Sequence, residues 1–147
     1  MKKSVYSKIL VCVENSPCAN KALSHACEIA KNSDSQLYLI YVVYNPTSGL
    51  GLGITLIDRR VFVKMFREHG KKVLRKASKI AAARGVKTEQ VMKEGNIANE
   101  IIKFAKREKI DLIAIGSRGF SRLPRFVLGS ISTKIANYAS CAVLTVK

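Results

Sequence analysis

Acidic residues are scarce in this chain of 147 residues: 10 Asp and Glu stand against 26 Lys and Arg, for a formal charge of +16. That imbalance attracts polyanions at low salt, but it specifies neither a fold nor a partner. Long apolar runs are missing too. None approaches the ~18–20 residues that a membrane-spanning helix needs, so no membrane partner is expected. The start, Met1-Lys2-Lys3-Ser4, is basic. The apolar stretch after it is short, carries Glu14 and lacks a cleavage site. It reads as a first strand and not as an export signal, and the expected compartment is the cytoplasm. The four cysteines, Cys12, Cys18, Cys27 and Cys141, form no C-x-x-C pair and have no histidines at zinc-finger spacing. Cys12 and Cys141 read as small core residues. No Walker A sequence, no H-E-x-x-H and no nucleophile elbow occurs, so no metal or catalytic site is assigned.

What is present is a globular composition, 48% hydrophobic, of a length that suits one domain over residues 1–147. Lys8 to Val13 is a short apolar run followed by Glu14-Asn-Ser-Pro17, which reads as a buried parallel strand ending in a turn. Ser16 is placed to cap a helix with Pro17 in its first turn. Ala19, Ala22, Leu23, Ala26 and Ala30 then keep helical spacing to about Lys31. Gln36 to Val43 is the second strand. The glycine-rich stretch Asn45 to Gly53 departs from the dinucleotide fingerprint and reads as a loop or lid.

Asp58 to about Arg84 reads as the longest helix. Phe62, Phe66, His69, Val73, Ala77 and Ile80 share one side of it, so His69 is expected at the edge of the core. Arg60, Lys64, Arg67, Lys71 and Arg75 share the other side. Lys87 to Lys93 is a weaker strand. Asn96 caps a helix that buries Ile97, Ala98, Ile101, Phe104 and Ala105. Asp111 to Gly116 is a further buried strand, a helix beginning near Gly129-Ser130 buries Ile131, Ile135 and Tyr138, and Ala142 to Val146 closes the chain as a strand. Strict β-α alternation predicts a single doubly wound, five-stranded parallel sheet with helices on both faces. Ligands of such sheets bind beyond the carboxyl ends of the strands where the strand order reverses. The loops after Val13 and Ile115 are therefore the candidates.

The second of these loops runs from Gly116-Ser-Arg-Gly119 to Gly129-Ser130. Glycines let backbone approach an anion closely. Gly129, Ser130 and Ile131 at a helix start would offer N–H groups to phosphate, and the hydroxyls of Ser130 and Ser132 would add donors. Glycine spacing alone leaves a second reading open, a turn after a strand followed by a plain helix start. Arg118, Arg122 and Arg125 either reach a phosphate or an acidic partner, or lie solvated on the loop.

The spacing G-x2-G-x9-G-[S/T], met by Gly116, Gly119, Gly129 and Ser130, resembles the nucleotide-binding motif of the universal stress protein family. The stretch from Ile9 to Leu23 is similar to that family's opening strand and helix. Gly95 to Gly119 is similar to its third helix and fourth strand. Cys141 to Val146 is similar to its closing strand, with Ala142 where Pro is usual. The resemblance implies a Rossmann-like sheet of the adenine nucleotide alpha hydrolase type and an ATP site, with Mg2+ carried on the phosphates. The glycine motif would wrap ribose and phosphates, Glu14 at the end of strand Lys8–Val13 would stand near the ribose, and Val42 would meet adenine. Here Glu14 replaces the usual Asp, and Asn15 a common Gly. The resemblance also implies a homodimer formed through Ala142 to Val146, and a nucleotide-dependent stress-response switch or sensor with at most slow ATP hydrolysis. Two other functions stay open: a nucleic-acid-associated basic protein, since Arg59 to Lys87 holds eleven Lys and Arg against the single acid Glu68, and a dimeric scaffold with an empty nucleotide cleft. Nonspecific contact with nucleic acid is expected in either case.

Overall fold

The computed structural model describes residues 4–45, 56–119 and 128–147, and side chains of the long helix from Arg59 onward. Most of the glycine-rich stretch, Arg122 and Arg125 lie outside the described residues. Among the described residues nine elements alternate: β1 (Lys8–Cys12), α1 (Pro17–Ser33), β2 (Gln36–Tyr44), α2 (Leu56–Ala83), β3 (Thr88–Gly95), α3 (Ile97–Glu108), β4 (Leu112–Gly116), α4 (Ser130–Tyr138) and β5 (Ala142–Val146). The strands form one parallel sheet in the order β3-β2-β1-β4-β5. The order reverses between β1 and β4, where Ile9 pairs with Leu112 and Val11 with Ala114.

Continuous apolar strands belong at the centre of such a sheet, because helices cover both of its faces. On one face Ile9, Val11, Leu37 and Leu39 pack under α1 and α2 through Leu23, Val73, Leu74 and Ala77. On the other, Leu10, Ile40, Ile113 and Ile115 pack under α3 and α4 through Ile101, Phe104 and Ile135. Ser16 caps α1 by accepting the Ala19 N–H at 3.2 Å, and Asn96 caps α3 by accepting the Asn99 N–H at 3.1 Å. The Asp111 carboxylate takes the N–H groups of Ser7 and Lys8, both at 2.9 Å, and so ties the start of β1 to the approach of β4.

Two expectations about helix faces are corrected. The sequence places Phe62, Phe66 and His69 with the core residues of α2, yet all three are exposed. The first buried residue of the described part of α2 is Gly70. Helical periodicity is intact, but the buried stripe of α2 begins only at Gly70, one residue after His69. His69 stands edge-on to Tyr41, with ring centroids 6.1 Å apart. Tyr138, expected in the core of α4, is 71% exposed at the last residue of that short helix.

Candidate functional site

At the carboxyl ends of β1, β2 and β4 the chain encloses a cavity of about 440 Å³, within the range of small-molecule sites. All ten residues singled out from the sequence line it. Val13 and Glu14 come from the end of β1 and Val42 from β2. Gly116, Arg118 and Gly119 follow β4, and Gly129, Ser130, Ile131 and Ser132 open α4. Cys12, Ile40, Ile97, Ile101 and Ile115 complete an apolar bowl that sequence reasoning did not assign. Ile40 and Cys12 could have been found from strand alternation, because they share a sheet face with Val42.

The β1–α1 arm is held by its own side chains. Ser16, fully buried, caps α1 and also donates its hydroxyl to Glu14 Oε1 at 2.8 Å. Asn15 sits at φ 65°, a left-handed conformation that Asn tolerates better than most residues, and it accepts a hydrogen bond from Lys76 Nζ at 2.9 Å. This is how the turn accommodates Asn without a glycine. Burial pushes the Glu14 carboxyl above the ordinary carboxylate range, and the Ser16 hydroxyl offsets part of that rise. Burial, with the Glu14 charge second, also drives the Cys12 thiol upward, so it stays protonated and behaves as an apolar wall.

The β4–α4 arm is held at Ser117, which is buried. Its N–H donates to the Val146 carbonyl at 2.8 Å, and its own carbonyl accepts the Gly129 N–H at 2.7 Å. The Ser132 hydroxyl lies 3.0 Å from the Ser117 carbonyl and 2.9 Å from that of Gly129. The expectation of a free Gly129 N–H is therefore corrected: that donor closes the neck of the loop. The amides of Ser130 and Ile131, in the first turn of α4, make no hydrogen bond among the described residues, as the opening turn of any helix leaves them.

The glycines have separate reasons. A Cβ on Gly116 would stand 2.7 Å from the Ala19 nitrogen and 2.8 Å from the Cys18 carbonyl carbon, so the start of α1 fills that space. A Cβ on Gly119 would approach the Glu14 carboxylate at 3.1 Å. Gly119 and Glu14 thus face one another across the cavity mouth, which joins the two arms.

A five-stranded parallel sheet with a cavity at its switch point defines the class, a doubly wound α/β domain. Residues 6–147 match the universal stress protein family, and the chain belongs to that family. It is 37% identical over 146 residues to universal stress protein MJ0531 of Methanocaldococcus jannaschii, covering 99% of this chain and 84% of that one. It is 34% identical over 149 residues to universal stress protein YxiE of Bacillus subtilis, covering 97% and 100%. Among solved structures, UspA from Lactobacillus plantarum superposes with a TM-score of 0.85 at 24% identity, covering 97% of this chain and 98% of that one. A universal stress protein in complex with cAMP superposes at 0.74, with 24% identity over 98% and 99%. One from Archaeoglobus fulgidus in complex with dAMP superposes at 0.70, with 23% identity over 97% and 99%.

Proposed function

We propose that the cavity binds an adenine nucleotide, ATP, and that the protein acts as a nucleotide-dependent stress-response switch. One observation carries this reading: an apolar bowl suited to a flat base lies in the same cavity as Ser130 and Ile131, whose helix-start amides make no hydrogen bond among the described residues and are of the kind that suits phosphate. Relatives of the same fold hold cAMP and dAMP, which supports the adenine end of the assignment. Ile40, Val42, Ile97 and Ile101 would take the base, Glu14 the ribose, and Ser130 and Ile131 the phosphates. Among the described residues no group of three His, Cys, Asp or Glu side chains is placed to hold a metal, so Mg2+ would arrive on the phosphates. His25 and His69 are both exposed and neither lines the cavity, which supports binding with at most slow hydrolysis.

Two further parts belong to the same reading. The outer edge of β5 has no strand beside it among the described residues, which supports an antiparallel homodimer through Ala142 to Val146. The four cysteines are free, as suits the reducing cytoplasm.

Calorimetry at physiological salt tests the reading. ATP should bind in preference to GTP, and Gly129→Val should weaken it by about tenfold or more, since its side chain would press on the Ser117 carbonyl 3.3 Å from the Cβ position. Unchanged affinity in a folded Gly129→Val would remove the loop from the site. No affinity for any adenine nucleotide would leave a scaffold with an empty cleft.

A further inference from the structure

The first described turns of α2 form a surface that the nucleotide reading does not use. From Arg59 to His69 no residue is buried, so about 16 Å of helix, at 1.5 Å per residue, stands clear of the core. α2 runs antiparallel to β2, which places this stretch beside the carboxyl ends of β2 and β3. There Arg59 bonds Asn45, and Arg67 pairs with Glu94 at 2.7 Å. Val61 is 58% exposed, Phe62 54%, Met65 63% and Phe66 41%. At ~100° per residue these four share roughly 140° of the helix surface. Arg60 and Lys64 border the patch on one side, together with Glu68, whose charge Lys71 pairs at 2.9 Å, and Lys72 follows it further along the helix; Arg60, Lys64 and Lys72 are exposed.

We propose that this patch docks on an anionic lipid surface, with the four apolar side chains in the headgroup boundary and the neighbouring cations on lipid phosphates. A contiguous exposed apolar patch of this kind marks an interaction site, and a basic amphipathic helix face is the form that lies in a membrane interface. No helix among the described residues is long and apolar enough to cross a membrane, but lying in the interface requires only one apolar face. Charge selects among the occupants. A second copy would bring Arg60, Lys64 and Lys72 against their own counterparts in a chain of +16. Nucleic acid would satisfy the cations, yet the two most exposed members of the patch, Val61 and Met65, have no π-face on which bases stack. Phe62 and Phe66 already stack on each other at 6.1 Å. An anionic bilayer satisfies both halves, and the negative surface potential of such a leaflet draws basic segments to it.

The inference is independent of nucleotide binding, and it is tested by cosedimentation of the full chain with vesicles. Phosphatidylcholine vesicles carrying roughly one-third phosphatidylglycerol should retain the protein, and neutral phosphatidylcholine vesicles should retain it weakly. The double variant Phe62→Ser with Phe66→Ser should lose about tenfold in partitioning to the anionic vesicles while keeping its circular dichroism. Met65→Gln, a milder change at the most exposed position, should lose about two- to threefold. Equal partitioning of wild type and the double variant would overturn the proposal in favour of plain charge attraction. A dimer by light scattering that the double variant converts to monomer would assign the patch to a second copy. Displacement of the wild type from vesicles by single-stranded oligonucleotide, with the double variant losing oligonucleotide affinity as well, would assign it to nucleic acid.

Discussion

The two arms that enclose the cavity are built on opposite plans. In the β1–α1 arm the side chains satisfy one another: Ser16 bonds both Glu14 and the first turn of α1, and Asn15 takes Lys76. In the β4–α4 arm the fixed point is backbone, with Ser117 linked to Val146 on one side and to Gly129 on the other, and the Ser130 and Ile131 amides beyond it make no hydrogen bond among the described residues. A closed arm fixes where the strand ends stand, and under the proposed function the other arm would keep donors for a ligand. The arms are coupled where they touch, α1 against Gly116 and Glu14 against Gly119.

Overpacking the contact between the arms should have the largest effect. Gly116→Ala sets a Cβ 2.7 Å from a backbone nitrogen of α1, which cannot move aside as a side chain would. Overpacking of this kind costs about 1–3 kcal/mol or more, and thermal unfolding should register it as a fall of ~2–4 °C per kcal/mol. Gly129→Ala comes no closer than 3.3 Å to any of its neighbours, the nearest being the Ser117 carbonyl, and should lose less. Equal losses would mean that α1 does not set the tolerance at Gly116.

Ser16→Ala comes next. It removes the cap of α1 and a fully buried hydroxyl that also serves Glu14, so chemical denaturation should show a loss of about 1–2 kcal/mol. Below it stands Asn15→Ala, at about 1 kcal/mol for a left-handed residue with a Cβ and no local hydrogen bond, while Asn15→Gly should be close to neutral. An Ala variant as stable as wild type would show that the turn relaxes to a negative φ and that the closed arm is less fixed than its hydrogen bonds imply.

The sequence read most clearly where one element carried the whole signal. β1 and β4 are buried on both faces and appear as unbroken apolar runs, and Ser16 and Asn96 precede their helices in the cap position. Nine of the ten residues named from the sequence lie in or beside the loops after β1 and β4, while Val42 in β2 came only from the family resemblance and the rest of the apolar bowl was not named. What failed depended on a neighbour distant in sequence. The faces of Phe62, Phe66, His69 and Tyr138 follow from helical spacing, but which turns of a helix are covered by the rest of the fold does not. Gly116 reads as an anion-approach glycine, yet the helix that requires it lies near the other end of the chain. The Gly129 amide looked free because its acceptor, the Ser117 carbonyl, sits across the loop it closes.

The smallest effect concerns protons at Glu14, and its sign distinguishes the closed arm from an ion-paired one. Burial raises the Glu14 carboxyl, so the folded protein holds that proton more tightly than the unfolded chain, whose carboxylate titrates near ~4.3. The contribution is fully present below that unfolded value and is lost as pH rises through the raised folded one. Glu14→Gln mimics the protonated form at every pH. The variant should therefore melt at a higher temperature than wild type at pH 7, with the gap closing as the pH falls toward 4. Comparing the two proteins at each pH cancels the titration of every other acid. A wild type that gains on the variant as pH rises would mean a nearby cation stabilises the carboxylate, and Ser16 would not be the chief partner that holds it.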